Sequence, residues 1–208
     1  MADEKKKTVY FTTGNGYIEY AKNFKPVKYD PNKGERGGPV QVEPGDRESS
    51  YQVNLVMTGE ERDEMKKLVD DIVEARQNEL GSKFKLRRTP YAKWEPSKGS
   101  DDSMLSLEDA LVFKFEQRGD WVAPIVSDTF GDDQTEYLKA KKILIGNGSQ
   151  GRINGSFYLP NPKENLFSVR LQFSGIQIKE LIKYKRKAFS EMEGGTPFAE
   201  PEEESVPF

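Results

Sequence analysis

Basic and aromatic side chains are concentrated in one short stretch of the sequence, between residues 83 and 94. Cations that can pair with phosphates alternate there with rings on which nucleobases can stack: Lys83, Lys85, Arg87, Arg88, Tyr91, Lys93 and Trp94. Binding a single-stranded nucleic acid without reading its sequence needs both, and each stacked base contributes roughly 1–3 kcal/mol. The stretch is therefore a candidate single-strand binding surface. The competing interpretation is that the cations solvate a strand and that Trp94 is buried.

Two further groups have the same chemistry. On the polar side of a predicted strand over residues 152–159, the candidates are Arg152, Asn154 and Tyr158, whereas Phe157 shares the apolar side and is predicted to be core. The other group follows the first predicted strands and comprises Lys22, Lys25, Lys28 and Tyr29. Of this group, Lys22 is included among the predicted DNA contacts.

Other kinds of chemistry have less support. Five aspartates could hold Mg²⁺ as in nucleases, but they lie in Ser- and Gly-rich turns where Asp is common: Asp101, Asp102, Asp128, Asp132 and Asp133. The chain contains neither Cys nor His, which excludes disulfides, thiol chemistry, His general bases and Cys/His zinc sites. We expect no enzyme activity, no metal and no cofactor.

The glycines of Gly146–Gly151 match the G-x-G-x-x-G pattern of dinucleotide-binding proteins. That pattern has meaning only where a helix begins directly after it, because the helix N-terminus binds the pyrophosphate. Here Arg152–Pro160 alternates like a strand and ends in proline. We therefore interpret the glycines as a flexible β-turn.

The C-terminal stretch carries only negative charge. No Lys or Arg follows Lys187, and six acids follow it: Glu191, Glu193, Glu200, Glu202, Glu203 and Glu204. Without these six, a chain of formal net charge -3 becomes a body of +3 over residues 1–190. Because glycine and proline interrupt it, the stretch is predicted to be disordered. The predicted organisation is one folded domain over 1–190 and a disordered acidic tail over 191–208.

The periodicities of the body predict mainly strands. Residues 51–57, 83–88, 111–115, 121–126 and 167–173 have strand character, and residues 8–13 and 17–24 are predicted to form a hairpin around Gly14–Gly16. Residues 25–50 are predicted to be a long loop. One amphipathic helix, about 60–80, follows a capping-box pattern at Thr58–Glu61 and can end at Gly81.

A change of apolar phase predicts a β-bulge. Phe173 and Ile176 lie on opposite parities, and Gly175 stands at the slip between them. Bulges and glycines allow long strands to coil around small barrels. The sequence therefore predicts a mostly β protein, a five-stranded antiparallel OB-fold barrel with one long helix.

The end of the tail resembles that of bacterial single-stranded DNA-binding proteins, which finish Asp-Asp-Asp-Ile-Pro-Phe. The corresponding residues are the acids Glu202, Glu203 and Glu204 and the apolar Val206, Pro207 and Phe208, with Ser205 between them. In that family the tip docks on replication and repair proteins. The resemblance implies that this tail binds a protein partner, while the competing interpretation is a merely solubilising tail.

The body resembles the single-stranded DNA-binding proteins of phage replisomes, particularly the short-tailed coliphage type. The matching stretches are Lys6–Lys22, Tyr51–Glu79 around Val69–Val73, Val112–Phe115, and Ile143–Lys183 with Val169–Gln172. The resemblance implies an OB fold that binds single-stranded DNA during replication, recombination or repair. The alternatives left open are an OB-fold adaptor that binds only proteins and a metal-dependent nuclease.

The resemblance and the composition also imply the surroundings of the protein. Its expected partners are single-stranded DNA and replisome or recombination proteins reached through the tail, with homodimer formation possible. Residues 1–7 lack the apolar core of a signal peptide, and no apolar stretch approaches the length of a membrane span. We expect no membrane association, and the expected location is the cytoplasm of the infected bacterial host.

Overall fold

The structure is a computed structural model, and it describes residues 8–33, 37–95 and 107–184. The predicted acidic tail and residues Asp101 and Asp102 lie outside these ranges. The strands of the described residues are β1 (Tyr10–Thr12), β2 (Gly16–Asp30), β3 (Gly38–Gln41), β4 (Ser50–Met57), β5 (Lys85–Leu86), β6 (Tyr91–Lys93), β7 (Leu111–Arg118), β8 (Ile125–Ser127), β9 (Ser149–Tyr158), β10 (Leu166–Phe167) and β11 (Arg170–Glu180). The helices are α1 (Gly59–Leu80) and α2 (Thr135–Ala140).

Five of the strands close into a barrel. Strand β2 pairs with β4, β4 with β7, β7 with β11, β11 with β9, and β9 returns to β2. The contact between β7 and β11 is parallel, and the other four are antiparallel. This is the closed five-stranded arrangement of an OB fold. The predicted fold is confirmed.

The barrel interior is filled by the apolar side of each strand. Tyr51, Val53 and Leu55 of β4 are fully buried, and they face the buried rings of Phe113 and Phe115 on β7. These residues alternate with polar ones because successive side chains of a strand point to opposite faces. The polar side of the same strands is left outside the barrel, where a ligand can reach it.

Helix α1 confirms the predicted helix about 60–80. Met65 and Val69 lie in the barrel core, and the backbone N–H of Gly81 donates to Gln77 at the predicted end. The predicted capping box is wrong, because the Thr58 side chain makes no capping hydrogen bond. Gly59, the first helical residue, has a left-handed φ of 61°. No helix of the described residues is long and apolar enough to cross a membrane.

The predicted bulge at Gly175 is confirmed. The pairing of β11 with β9 shifts register between Phe173 and Gly175, so Ser174 is an extra residue on one strand. After the shift Ile176 returns to the core, as Phe173 does before it. The bulge therefore lets one strand keep its apolar side inward as it bends around the barrel.

The predicted N-terminal hairpin is wrong. Strand β1 pairs with β9, not with β2, and Tyr10 lies opposite Ser156. Strand β2 then pairs with an earlier part of β9, where Gly16 lies opposite Gly151. The glycines at 14–16 thus carry the chain onward along one edge of β9, and they do not reverse it. Packing of the Phe11 ring against Phe157, at 4.8 Å between centroids, holds β1 there.

The predicted loop over residues 25–50 is also partly wrong. Strand β2 continues to Asp30 and pairs with β3, with Val27 opposite Gln41 and Asp30 opposite Gly38. This ribbon presents exposed side chains on much of its surface. Its sequence therefore lacks the apolar alternation by which strands are recognised.

Three smaller differences concern short elements. The strand predicted over 121–126 is reduced to β8, and the strand predicted over 83–88 is reduced to β5. Helix α2 was not predicted, because it is short and Leu138 is its one buried apolar residue. After the glycines of 146–151 the chain enters strand β9 and not a helix, in agreement with the rejection of a dinucleotide site.

Candidate nucleic-acid interface

The predicted basic stretch begins as an exposed edge. Side chains of Lys83, Lys85, Arg87 and Arg88 are exposed, while Phe84 and Leu86 between them pack against the core. The backbone N–H of Lys85 donates to Asn165 at 2.9 Å, and that of Arg87 donates to Phe167 at 2.8 Å. These bonds fix the cations beside the segment that precedes β11.

The second half of the stretch faces elsewhere. Tyr91 points toward α1, where its hydroxyl donates to Asp70 at 2.7 Å and its ring packs on Phe113. Burial, followed by the hydrogen bond to Asp70, raises the pKa of Tyr91. Lys93 lies on the same side, beside Arg62 and Asp63 at the start of α1. Tyr91 and Lys93 therefore face α1, whereas Lys85 and Arg87 lie beside the segment that precedes β11.

Trp94 corrects the expectation of an exposed ring. It is 8% exposed and packs against Val56 and Val112 on the outer side of β4 and β7. Its indole N–H donates to the buried carboxylate of Glu19 at 3.1 Å. This second apolar cluster covers one end of the sheet, and its ring offers no face for stacking in this structure.

A groove lies on the outer side of β2, β4 and β7, next to that cluster. Its volume is about 350 Å³, and it is lined by Tyr20, Lys22, Val27, Pro39, Gln52, Asn54, Lys114, Phe115 and Glu116. Pairing places Lys22 opposite Gln52 and Lys114 opposite Asn54. Two cations therefore stand on different strands of one concave surface, together with two amides and the carboxylate of Glu116, which lies opposite Gln52. We call it the β2–β4–β7 groove.

A backbone hydrogen bond joins the end of the basic stretch to the strand that carries Lys114. The N–H of Lys114 donates to the carbonyl of Pro90 at 3.1 Å, which fixes the chain just after Arg88 against β7. Of the predicted contacts, Lys22 lines the groove, and Arg87 and Arg88 lie on the segment that leads to its β7 side. Lys114 was not singled out from the sequence. The signal that could have identified it is its position on the polar side of the strand predicted over 111–115.

Tyr20 is the aromatic residue of the groove. It is 44% exposed and has φ 51°, the left-handed region that a bulky residue rarely adopts. A register shift of β2 lies between Glu19 and Lys22, and the backbone N–H of Tyr20 donates to Asn147 at 2.8 Å. Such backbone outliers concentrate at functional sites. No sequence signal indicates a left-handed tyrosine in a strand.

Strand β9 forms a second basic and aromatic surface. Arg152 and Tyr158 are exposed on its outer side, as the predicted parity requires. Pairing adds the exposed Tyr10 of β1, opposite Ser156, and Arg170 of β11, opposite Tyr158. We call these four residues the β9 face. Tyr10 and Arg170 were not identified from the sequence.

A larger pocket adjoins the groove and shares Lys22 with it. Its volume is about 450 Å³, with apolar walls from Ala21, Phe24, Leu138, Ile143 and Leu144 and cations from Lys22, Lys25, Lys139 and Lys142. We call it the lysine-rimmed pocket. Lys25 is bonded to Glu43 and Lys139 to Glu136. Because Lys22 lines both cavities, an anion that pairs with Lys22 in one cavity weakens the attraction of Lys22 for an anion in the other.

Lys28, from the third basic group, has an acidic partner. Its ammonium donates to Asp46 at 3.0 Å, and this bond raises the pKa of Lys28. The pKa of Asp46 is lowered by the backbone N–H of Glu48 and then by Lys28. Both groups stay charged near neutral pH. The pair holds the β2–β3 ribbon to the following loop.

The aspartates considered for a metal have structural partners. Asp128 accepts hydrogen bonds from the backbone of Phe130 and Asp132, and Asp133 accepts one from Thr135, whose hydrogen bonds lower its pKa. Among residues 8–33, 37–95 and 107–184, no cluster of acids could hold a metal ion.

Two phage proteins have similar structures. The single-stranded DNA-binding protein gp2.5 encoded by bacteriophage T7 matches with a TM-score of 0.55 and 15% identity, over 92% of this chain and 100% of that one. The C-terminally truncated single-stranded DNA-binding protein from bacteriophage Enc34 matches with a TM-score of 0.54 and 13% identity, over 82% and 85%. The chain shares their fold. Neither a protein-family model nor a curated protein sequence matches it.

Proposed function

We propose that the protein binds single-stranded DNA along the β2–β4–β7 groove without reading its sequence. A fold alone does not determine function, because OB barrels host many. The observation that carries the proposal is the groove itself, where Lys22 and Lys114 stand on separate strands around the exposed ring of Tyr20. Both structural neighbours are described as single-stranded DNA-binding proteins, which supports this choice of ligand.

The two cations, the aromatic ring and the two amides of the groove have distinct roles in this proposal. Lys22 and Lys114 pair with successive phosphates, and Arg87 and Arg88 extend the basic path together with Lys83 and Lys85. Tyr20 stacks on a base, and Gln52 and Asn54 donate or accept hydrogen bonds as the bases allow. Stacking accepts every base, so the binding is insensitive to sequence. No catalytic step is required.

We further propose that the acidic tail competes with DNA. Its acids Glu202, Glu203 and Glu204 match the lysines of the lysine-rimmed pocket in charge, and Val206, Pro207 and Phe208 match its apolar walls. A tethered segment has a local concentration on the millimolar scale, so weak contacts suffice. Occupation of the pocket would engage Lys22 and reduce its attraction for phosphate. DNA would release the tail for protein partners.

This scheme suits a phage protein that protects single strands during replication, recombination or repair in the cytoplasm of the host cell. The partner of the released tail would be a protein of the replisome or recombination machinery. Its docking site would need the same combination that the lysine-rimmed pocket offers, basic side chains around an apolar depression.

The test is binding of fluorescent oligo-dT at several salt concentrations. Contacts to Z phosphates give a slope of about -0.7Z for log K against log salt. We expect Lys22→Ala and Lys114→Ala each to weaken binding and to reduce the slope by about 0.7. Lys67→Ala is the matched control, since Lys67 is an exposed lysine on α1.

If the double variant at Lys22 and Lys114 binds with the affinity and slope of the parent protein, the groove is not the DNA site. If the parent protein itself shows no salt-dependent binding, the adaptor alternative gains support. The lysine-rimmed pocket would then be the place to look for an acidic protein ligand.

A further inference from the structure

The most exposed large apolar side chain of the described residues is Phe130, which is 92% exposed. It stands on the turn between β8 and α2, outside both the barrel core and the groove. Burying a phenylalanine contributes roughly 1.5–3 kcal/mol, so leaving one in water is informative where the backbone holds it there.

The turn is held rigidly by Asp128. One carboxylate oxygen accepts the backbone N–H groups of Phe130 at 2.9 Å and Asp132 at 3.0 Å. The other accepts the amide of Gln134 at 3.1 Å. The backbone N–H of Asp128 donates in turn to the carbonyl of Asp132 at 3.0 Å. A ring on such a turn loses little conformational entropy when a ligand covers it.

Hydrogen bonds connect this turn to the β9 face. The carbonyl of Thr129 accepts the side-chain amide of Gln177 at 3.1 Å, and Gln177 accepts the guanidinium N–H of Arg152 at 2.6 Å. A shallow pocket of about 220 Å³ lies at this junction, with Thr129, Arg152 and Lys179 among its lining residues. The turn that carries the exposed ring therefore adjoins a surface with two cations, Arg152 and Lys179, while its own exposed charges are the carboxylates of Asp132 and Asp133.

The opposite end of the β9 face repeats the combination. Tyr10 is 78% exposed and Tyr158 is 40% exposed, with Arg170 in the pair opposite Tyr158. Arg152 and Tyr158 are six positions apart on one strand, about 20 Å at the usual rise per residue. Rings and guanidinium groups thus recur along a path that is longer than a single base contact.

We propose that the β9 face and Phe130 form a second contact surface for single-stranded DNA, separate from the groove. Phe130 and Tyr10 stack on bases, and Arg152 and Arg170 pair with phosphates. This inference rests on the proposed function, because it concerns the same ligand. Arg152, Arg170 and Lys179 favour a nucleic acid over an apolar protein partner, because their charges can pair with phosphates.

The test compares two lengths of oligo-dT with the full chain. OB folds occupy about 4–16 nucleotides each, so an oligonucleotide of about 6 can fill the groove alone, and one of about 20 can reach both surfaces. We expect Phe130→Ala to weaken binding of the longer DNA about tenfold and to leave the shorter DNA unchanged. The salt slope of the Phe130→Ala variant should equal that of the parent protein, because the ring carries no charge. Arg152→Ala should lower the slope for the longer DNA by about 0.7.

Val122→Ala is the control, because Val122 is 86% exposed and has no ring. A Phe130→Trp variant supplies a direct readout, with the parent protein as its reference for Trp94 and Trp121. Its added fluorescence should be quenched by the longer DNA and not by the shorter. If Phe130→Ala binds the longer DNA as tightly as the parent and Phe130→Trp shows no quenching, the second surface is refuted while binding in the groove stands. If the parent binds neither DNA, the proposed function fails as well.

Discussion

Tyr20 illustrates a residue whose conformation contributes little to the stability of the barrel but suits a binding site. Tyr20 adopts a left-handed backbone conformation that glycine adopts without a steric penalty. Its ring is only partly covered, so it adds less to the core than Ile18 or Tyr51, which are fully buried. The strained backbone is consistent with a ring that contacts a ligand.

We expect Tyr20→Gly to separate stability from binding. The unfolding free energy should change by no more than about 1 kcal/mol, because relief of strain offsets the greater entropy of the unfolded chain. Affinity for oligo-dT should fall about tenfold through the loss of one stacked base. Urea unfolding and fluorescence anisotropy measure the two quantities. Tyr20→Phe keeps a ring and is the control, and a glycine variant that binds as tightly as the parent would contradict stacking.

Trp94 shows that the burial of a ring does not follow from its residue type and its neighbours in the sequence. An indole next to Lys93 has the composition of a stacking site, but its surroundings are apolar residues from two strands and a carboxylate from a third, Glu19. Those neighbours are far away in sequence. Lys83, Lys85 and Arg87, expected on the solvent side of their strand, are exposed, because exposure of a charged side chain needs no knowledge of its neighbours.

The elements of the barrel differ in how far they could be predicted. Strands β4, β7, β9 and β11 and helix α1 have one buried side each, and that side imposes a period on the sequence. Strand β1 and the β2–β3 ribbon have mostly exposed side chains, so no apolar period marks them in the sequence. Their pairing partners are set by tertiary contacts that the sequence does not display. The groove was missed as a unit because its two cations lie on strands that are distant in sequence, Lys22 on β2 and Lys114 on β7.

Closure of the barrel at β9 leads to a prediction at this scale. Gly151 lies opposite Gly16 of β2 and Ile178 of β11, and a Cβ atom there would meet the backbone carbonyl of Gln177 and the side chain of Ile18. We expect Gly151→Ala to lower the unfolding free energy by about 1–3 kcal/mol through overpacking. The measurement is the urea midpoint at constant m-value.

Ser156→Ala on the same strand is the comparison for Gly151→Ala, since Ser156 is half-buried on the outer side. It should change the unfolding free energy by less than about 0.5 kcal/mol. Equal midpoints for the two variants would mean that the strands at Gly151 can move apart without cost. Oligo-dT binding by the Gly151→Ala protein, measured well below its unfolding midpoint, should be retained because the groove lies on other strands.

For the whole molecule, the distribution of charge is the dominant feature. The body over residues 1–190 is positive by three charges, and the last eighteen residues carry six negative charges. From Tyr184 the chain continues for 24 residues to Phe208, enough to span about 80 Å when extended. This length is compatible with the proposed docking of the tail in the lysine-rimmed pocket, and the contacts would weaken as salt screens them.

A chain that ends at Ser190 should therefore bind oligo-dT more tightly than the full chain at low salt. The difference should disappear as salt rises toward physiological strength, because screening reduces the attraction between tail and body. Anisotropy titrations of both chains across a salt series measure this. Replacement of Phe208 by Ala in the full chain, with all acids kept, separates the apolar contribution from the charge. If the tip docks in the lysine-rimmed pocket, this variant should lie between the two chains at low salt. Equal affinities for the full and shortened chains would remove competition by the tail while leaving DNA binding in the groove intact.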